Sequence, residues 1–292
     1  MGLVGPVSTK TLDKECNRKT NWFKECPAII HQCVAIPSVP VTMDSFIQIT
    51  NQSQGRDRFF RATQYACMLL RYLVENKPGA QKVAMKLKQV ESNMSSGRKL
   101  FRLGNFVHAL KASKASMQIL DPIPRCCLTA ANLNRVFYFV CDTVLWARSV
   151  GVVSGISKET WLYRATKCYY YSLLLNILTN IYEISWRMEK EAKERKQQAS
   201  DTITAESDQD LKILSVLPKG FENFLFLLFL SFRNHPPLLL DTVKNVCDLL
   251  SPLDRLEIYS TNQGVIGICG LVSSIVGILT VANPSLKIKH LT

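Results

Sequence analysis

The sequence predicts an all-α fold, an integral membrane helical protein with amphipathic N-terminal helices and a C-terminal transmembrane helix. Three observations carry this. Residues 259–286 run for 28 residues without a charged side chain. Apolar residues recur at helical spacing through the N-terminal half. A chain that is 47% hydrophobic nevertheless carries a formal net charge of +13. A basic chain with a membrane segment calls for an anionic partner, so anionic membrane lipids and acidic proteins are the expected classes. No zinc-finger, helix-turn-helix or RNA-binding signature accompanies the charge, and no nucleic-acid partner is expected.

Residues 1–42 are expected to be an atypical, disordered N-terminal extension, with Met43 as an alternative start. The stretch from Ala28 to Val41 is broken by His31, Gln32, Pro37 and Pro40, unlike the continuous apolar run of a signal peptide. Gly2 follows Met1, but Pro6 departs from the myristoylation pattern. The ten cysteines form no CxxC pair and read as reduced thiols. Cys26, His31 and Cys33 lack the second ligand pair of a zinc site, so no metal and no cofactor is expected.

Residues 43–125 read as an amphipathic helical region. From Arg56 to Glu75, Phe59, Phe60, Met68, Leu69, Tyr72 and Leu73 recur among Arg56, Arg58, Arg61 and Arg71, and Pro78 and Gly79 end the helix. The next helix carries the sharper signal. Val83, Leu87, Val90, Met94 and Phe101 follow at intervals of four, three, four and seven, one narrow stripe of a 3.6-residue helix. Lys88, Arg98, Lys99 and Arg102 gather on one flank of the stripe, Lys82 and Lys86 on the other. An apolar stripe edged by long basic side chains suits a helix in the headgroup layer, where each basic residue contributes about 1 kcal/mol. The same stripe would also serve a helical hairpin packed on itself, and spacing leaves both readings open. Gly104 and Asn105 read as a helix stop and an N-cap, followed by a second stripe of Phe106, Val107, Leu110 and Met117.

Residues 126–187 read as an apolar helical hairpin, with a first membrane segment at about residues 126–147. Arg135 and Asp142 interrupt that segment, and an Arg near the bilayer centre costs about 2.5–3.5 kcal/mol. A partner is therefore required. Asn176, Asn180 and Glu183, spaced four and three apart, form a polar stripe on the second helix, and an Arg135–Glu183 pair is expected. These polar stripes could alternatively line a metabolite-conducting channel. Residues 188–212 read as a polar linker. Residues 213–258 form a helical region: residues 221–232 are apolar but too short to span, His235-Pro236-Pro237 breaks the chain, and Leu239, Val243, Val246 and Leu250 resume helical spacing.

Residues 259–286 form the C-terminal transmembrane segment. Ten Ile, Leu and Val residues lie between Gly264 and Val281, and about 20 residues cross a hydrocarbon core of about 30 Å. Gly270 with Ser274, and Ser273 with Gly277, recur four apart, the spacing at which two helix backbones approach closely in lipid. Homo-oligomer formation through this face is expected. Residues 287–292 are a short basic tail. No GxSxG, HExxH, phosphate-cradling Gly loop or paired Cys/His constellation occurs, and no enzyme activity is expected.

From Met43 to Lys289 the chain resembles the peroxisomal membrane protein 11 (peroxin-11) family, alpha type. The resemblance rests on Ser96-Gly97-Arg98-Lys99-Leu100-Phe101-Arg102-Leu103-Gly104-Asn105, Leu133-Asn134-Arg135-Val136-Phe137-Tyr138-Phe139, Asp142-Thr143-Val144-Leu145-Trp146, His235-Pro236-Pro237-Leu238-Leu239-Leu240-Asp241 and Gly270-Leu271-Val272-Ser273-Ser274-Ile275. It implies a multi-pass peroxisomal membrane protein with both termini, and residues 43–125, in the cytosol. It also implies a role in peroxisome elongation, proliferation and fission, by amphipathic-helix insertion, self-association and recruitment of fission adaptor proteins and a dynamin-like GTPase. Residues 83–103 match the inserting helix. The alpha type implies tail lysines third and fifth from the end, whereas Lys289 and Lys287 stand fourth and sixth.

Overall fold

The computed structural model describes residues 43–75, 77–203 and 221–288. Their order is α1 (Met43–Asn51), α2 (Ser53–Val74), α3 (Gln81–Phe101), α4 (Asn105–Ser116), α5 (Pro122–Ser149), α6 (Lys158–Ile203), α7 (Phe221–Asn234), α8 (Pro236–Arg255) and α9 (Gln263–Ala282), closed by a 3₁₀ turn, Pro284–Leu286. No strand occurs among the described residues. The expectation for residues 1–42 lies outside them.

Breaks fall where backbone chemistry requires them. Gly104 takes φ 79°, a left-handed conformation suited to a residue without Cβ, and separates α3 from α4. Asn105 is the first residue of α4 and not its N-cap, and Gly104 in the cap position has no side chain to accept a hydrogen bond. Pro122 and Pro124 open α5, and Pro236 and Pro237 open α8, where a missing N–H costs nothing. Asn262 caps α9 by accepting from the Gly264 N–H at 3.0 Å.

One boundary corrects the sequence reading. The linker expected over residues 188–212 is helical up to Ile203, because α6 continues through the mixed-charge run. Arg187–Glu183, Lys190–Glu194 and Lys193–Glu189 are ion pairs at i,i+4 spacing, at 3.7, 3.9 and 2.8 Å, and they bridge the turns there. The rest of that linker lies outside the described residues.

Helix packing follows antiparallel pairs. α2 lies against α3, where Ser53 Oγ meets the Phe101 carbonyl at one end and Arg71 meets Glu91 near the other. α2 also lies against α9, with Tyr72 beside Gly264, Leu69 beside Gly267, Tyr65 beside Gly270 and Arg58 beside Gly277. α5 and α6 form the expected hairpin, turned through Gly151 and Gly155 at φ 81° and 84°.

The interior is rich in polar side chains, and many large apolar ones face outward. Among the described residues sixteen buried side chains are polar or charged and fifteen are apolar, while thirty-six large hydrophobic residues are exposed. On α2 the buried face carries Asp57, Arg61 and Gln64, and Leu70 and Leu73 face outward. α5 turns Leu133, Phe137 and Val140 out and Asp142 in. α9 turns Val265, Ile268, Val272 and Ile275 out.

Candidate membrane-contact surface

The stripe expected to meet lipid lies on α3, which has no buried residue. Val83 and Val90 are 51% and 37% exposed, and Met85, on the opposite side of the helix, is 64% exposed. Lys82, Lys86 and Lys88 are exposed on the same helix. Leu87, Met94 and Phe101 are half-buried against the bundle. Phe101 packs edge-to-face on Phe60 of α2, with centroids 4.9 Å apart. The stripe thus divides: its N-terminal half is open, and its C-terminal end is packed.

The basic flank divides the same way. Arg98 Nε donates to Asp57 at 3.1 Å and Arg98 Nη1 to Gln64 at 2.8 Å. Arg102 pairs with Asp142 of α5 at 3.0 Å and also bonds the Tyr138 hydroxyl. These two guanidinium groups are turned into the bundle, so the headgroup role expected of Arg98 and Arg102 is not available in this conformation. Burial pushes Lys99 below the usual lysine range; Asp142 opposes the shift, and Arg102, Lys158 and Arg255 reinforce it. Lys88 alone of the four is exposed.

The small-residue face of α9 is also engaged within the chain. Gly270, Ser273, Ser274 and Gly277 are all buried. A methyl group at Gly270 would run into the Tyr65 ring, and one at Gly277 would sit 3.0 Å from Cδ of Arg58. The close approach expected between two copies is therefore made by α2 of the same chain. Small residues admit any helix backbone, and the nearest available one is intramolecular.

The expected Arg135–Glu183 pair is replaced. Glu183, 2% exposed, meets Arg187 one turn along α6. The polar stripe of α6 turns toward α8, where Asn180 Nδ2 donates to Asp241 at 3.2 Å and Asp241 also takes Lys244 at 2.7 Å. Sequence reasoning missed Asp57 and Asp248, two of the carboxylates that organise this interior. Their signal was an acid on an otherwise apolar or basic face, and Asp142 was visible as an interruption.

Among the described residues, α9 alone is long and apolar enough to cross a membrane by length and composition. The segment expected at about residues 126–147 lies on α5, which holds Arg135 and the buried Asp142.

Comparison with known proteins identifies the family. Residues 43–282 match the family Peroxisomal biogenesis factor 11. Peroxisomal membrane protein 11A of Homo sapiens is 56% identical over 251 residues, which cover 85% of this chain and 99% of that protein. The Mus musculus 11A protein is 52% identical over 247 residues, with the same shares covered. Peroxisomal membrane protein 11B of Homo sapiens is 38% identical over 258 residues, covering 85% of this chain and all of that protein. No solved structure matches. With the family matched from α1 to the end of α9, and identity higher to the A than to the B proteins, the chain belongs to the peroxisomal biogenesis factor 11 family, alpha type.

Proposed function

We propose that this chain is an integral protein of the peroxisomal membrane that promotes peroxisome elongation, proliferation and fission. It crosses the bilayer more than once and keeps both termini in the cytosol. The many exposed Leu, Ile, Val and Phe side chains, with Asp57, Arg61, Asp142 and Asp248 turned into the bundle, support integration. α9 crosses the bilayer, and α2, laid against it for four turns, shares its depth.

The wedge is α3. The single observation that carries this is an exposed apolar pair two turns apart on one face, Val83 and Val90, flanked by exposed lysines on a helix that buries nothing. In the packed conformation α3 runs alongside α2 and hence alongside α9, whereas a wedge lies in the plane of the headgroups. Insertion therefore swings α3 off α2. Its free face enters the outer leaflet first, with Lys82, Lys86 and Lys88 on headgroup phosphates, and Arg98, Lys99 and Arg102 follow once the ion pairs to Asp57 and Asp142 open. Self-association, fission adaptors and a dynamin-like GTPase complete the activity, the wedge concentrating where copies gather.

The test is the full chain carrying Val83→Asp and Val90→Asp, both at exposed positions, expressed in cells and scored for peroxisome length. Targeting is expected to persist and elongation to be lost; tubules of unchanged length overturn the wedge. A second reading, a metabolite-conducting channel, is favoured by a cavity of about 750 Å³ reached by Arg135 and Asp142 of α5 and Thr166 and Tyr169 of α6. Planar-bilayer conductance separates the two, since a wedge carries no current.

A further inference from the structure

That cavity is lined by six helices, α2, α3, α4, α5, α6 and α8, and its charge is unbalanced. Eleven Lys or Arg residues face it against four Asp or Glu. All four acids are already engaged: Asp57 with Arg98 and Arg102, Asp142 with Arg102, Asp248 with Arg61, and Glu91 with Arg71. Lys244 is held by Asp241, which lies outside the lining. Six cations remain without a carboxylate: Arg58, Lys88, Lys99, Arg135, Lys158 and Arg255. Arg61, 6% exposed, lines the same cavity, and its Nε–H has no acceptor.

Like charges crowded into a partly desolvated space repel; burial is the main cause that lowers Lys99, and Arg102, Lys158 and Arg255 add to it. Such an arrangement is stable only by sacrificing some folding energy unless an anion joins it. A single phosphate would leave most of the excess unmatched. The volume lies in the range of about 300–1,000 Å³ typical of small-molecule sites, room for several phosphate groups. Arginine forks match phosphate oxygens in pairs, and Lys88, Lys158 and Arg255 are exposed, placed to draw an anion in from solution.

We propose that the cavity binds a ligand bearing two or more clustered phosphate groups. Arg58, Lys99 and Arg135 hold the phosphates, and Lys88, Lys158 and Arg255 form the rim. The chemistry is shared by a free oligophosphate and by the headgroup of a multiply phosphorylated lipid. The site belongs to the packed conformation, in which α3 lies on α2 and lines the cavity, so a bound oligophosphate and an inserted α3 exclude one another; whether the chain conducts does not bear on it.

The experiment uses the full chain in nanodiscs of phosphatidylcholine, titrated calorimetrically with sodium triphosphate. Saturable binding of one triphosphate per chain is expected. Arg135→Gln and Lys158→Gln are each expected to weaken it about tenfold, while Lys111→Gln, an exposed cation outside the cavity, leaves it unchanged. Because each cavity variant relieves repulsion, its unliganded melting temperature is expected to hold or rise, which a merely structural residue would not do. Discs containing phosphatidylinositol 4,5-bisphosphate separate the sources. Loss of triphosphate binding there, but not in discs of equal charge made with phosphatidylserine, assigns the site to a lipid headgroup; binding retained in all discs assigns it to a free anion. Absence of triphosphate binding in phosphatidylcholine discs, or binding that Lys111→Gln weakens as much as Arg135→Gln, overturns the proposal.

Discussion

Asp248 joins three helices through one carboxylate. Arg61 of α2 donates to it through both terminal nitrogens, and the Tyr169 hydroxyl of α6 donates at 3.1 Å. Burial alone would push this carboxyl up; Arg61 more than reverses the effect and holds it below the usual carboxylate range of about 3.8. A carboxyl depressed in the folded state adds stability that is complete above its unfolded value and is lost as pH falls through the folded one. Asp248→Asn leaves Arg61 buried without its countercharge, an expected loss of about 3–5 kcal/mol. The measurement is the melting temperature of the full chain in detergent at pH 7, with the gap to the parent protein narrowing below the ordinary carboxylate range. Equal melting temperatures at pH 7 would show that something other than Asp248 neutralises Arg61. None of this partnership was readable beforehand. Arg61 and Asp248 are 187 positions apart, and periodicity reports which face a residue occupies but not which distant charge faces it.

Helix positions were mostly legible, because apolar spacing and Gly or Pro breaks are local signals. The stripe from Val83 to Phe101, the Pro236-Pro237 start and the uncharged run around α9 all produced helices close to where they were expected. Two things were not local. The mixed-charge end of α6 looks like solvated chain by composition, yet its ion pairs one turn apart sustain a helix. The Gly and Ser face of α9 shows that some backbone approaches closely, without saying whose. Here it is α2, and that assignment is testable. Gly270→Leu drives a side chain into Tyr65 and is expected to cost about 1–3 kcal/mol, whereas Ile275→Ala, 48% exposed on the outer face of the same helix, is expected to change stability little. Thermal unfolding of both variants in detergent checks it; similar losses would mean that α9 is embraced equally on both sides.

At the scale of the whole bundle of described residues, Asp57, Arg61, Asp142 and Asp248 are buried while many large apolar side chains are exposed, and α3 is joined to that body along one side only. Asp57 is one of its points of attachment, touching Arg98 at 3.1 Å and Arg102 at 3.7 Å. Asp57→Asn weakens both contacts, so the proposed swing of α3 becomes easier. The expected outcome is more extensive tubulation of anionic vesicles at equal protein density, together with a lower melting temperature. Reduced tubulation would mean that α3 acts from its packed position. The sequence-derived stripe was correct as a helix face and incomplete as a contact surface, because half of its basic flank is committed to carboxylates on α2 and α5.

The length of α6 carries its own consequence. Its 46 residues make a rod of about 69 Å, more than twice the hydrocarbon thickness of about 30 Å. Its far end is densely charged, with Lys190, Lys193 and Glu194 exposed, and hydrocarbon excludes such a surface. The rod is consequently a lever with its fulcrum among the packed helices. Packing continues to Glu191, which accepts from Asn234 of α7, so the free arm is about the last three turns, about 18 Å, and a tilt of about 10° displaces its tip by about 3 Å.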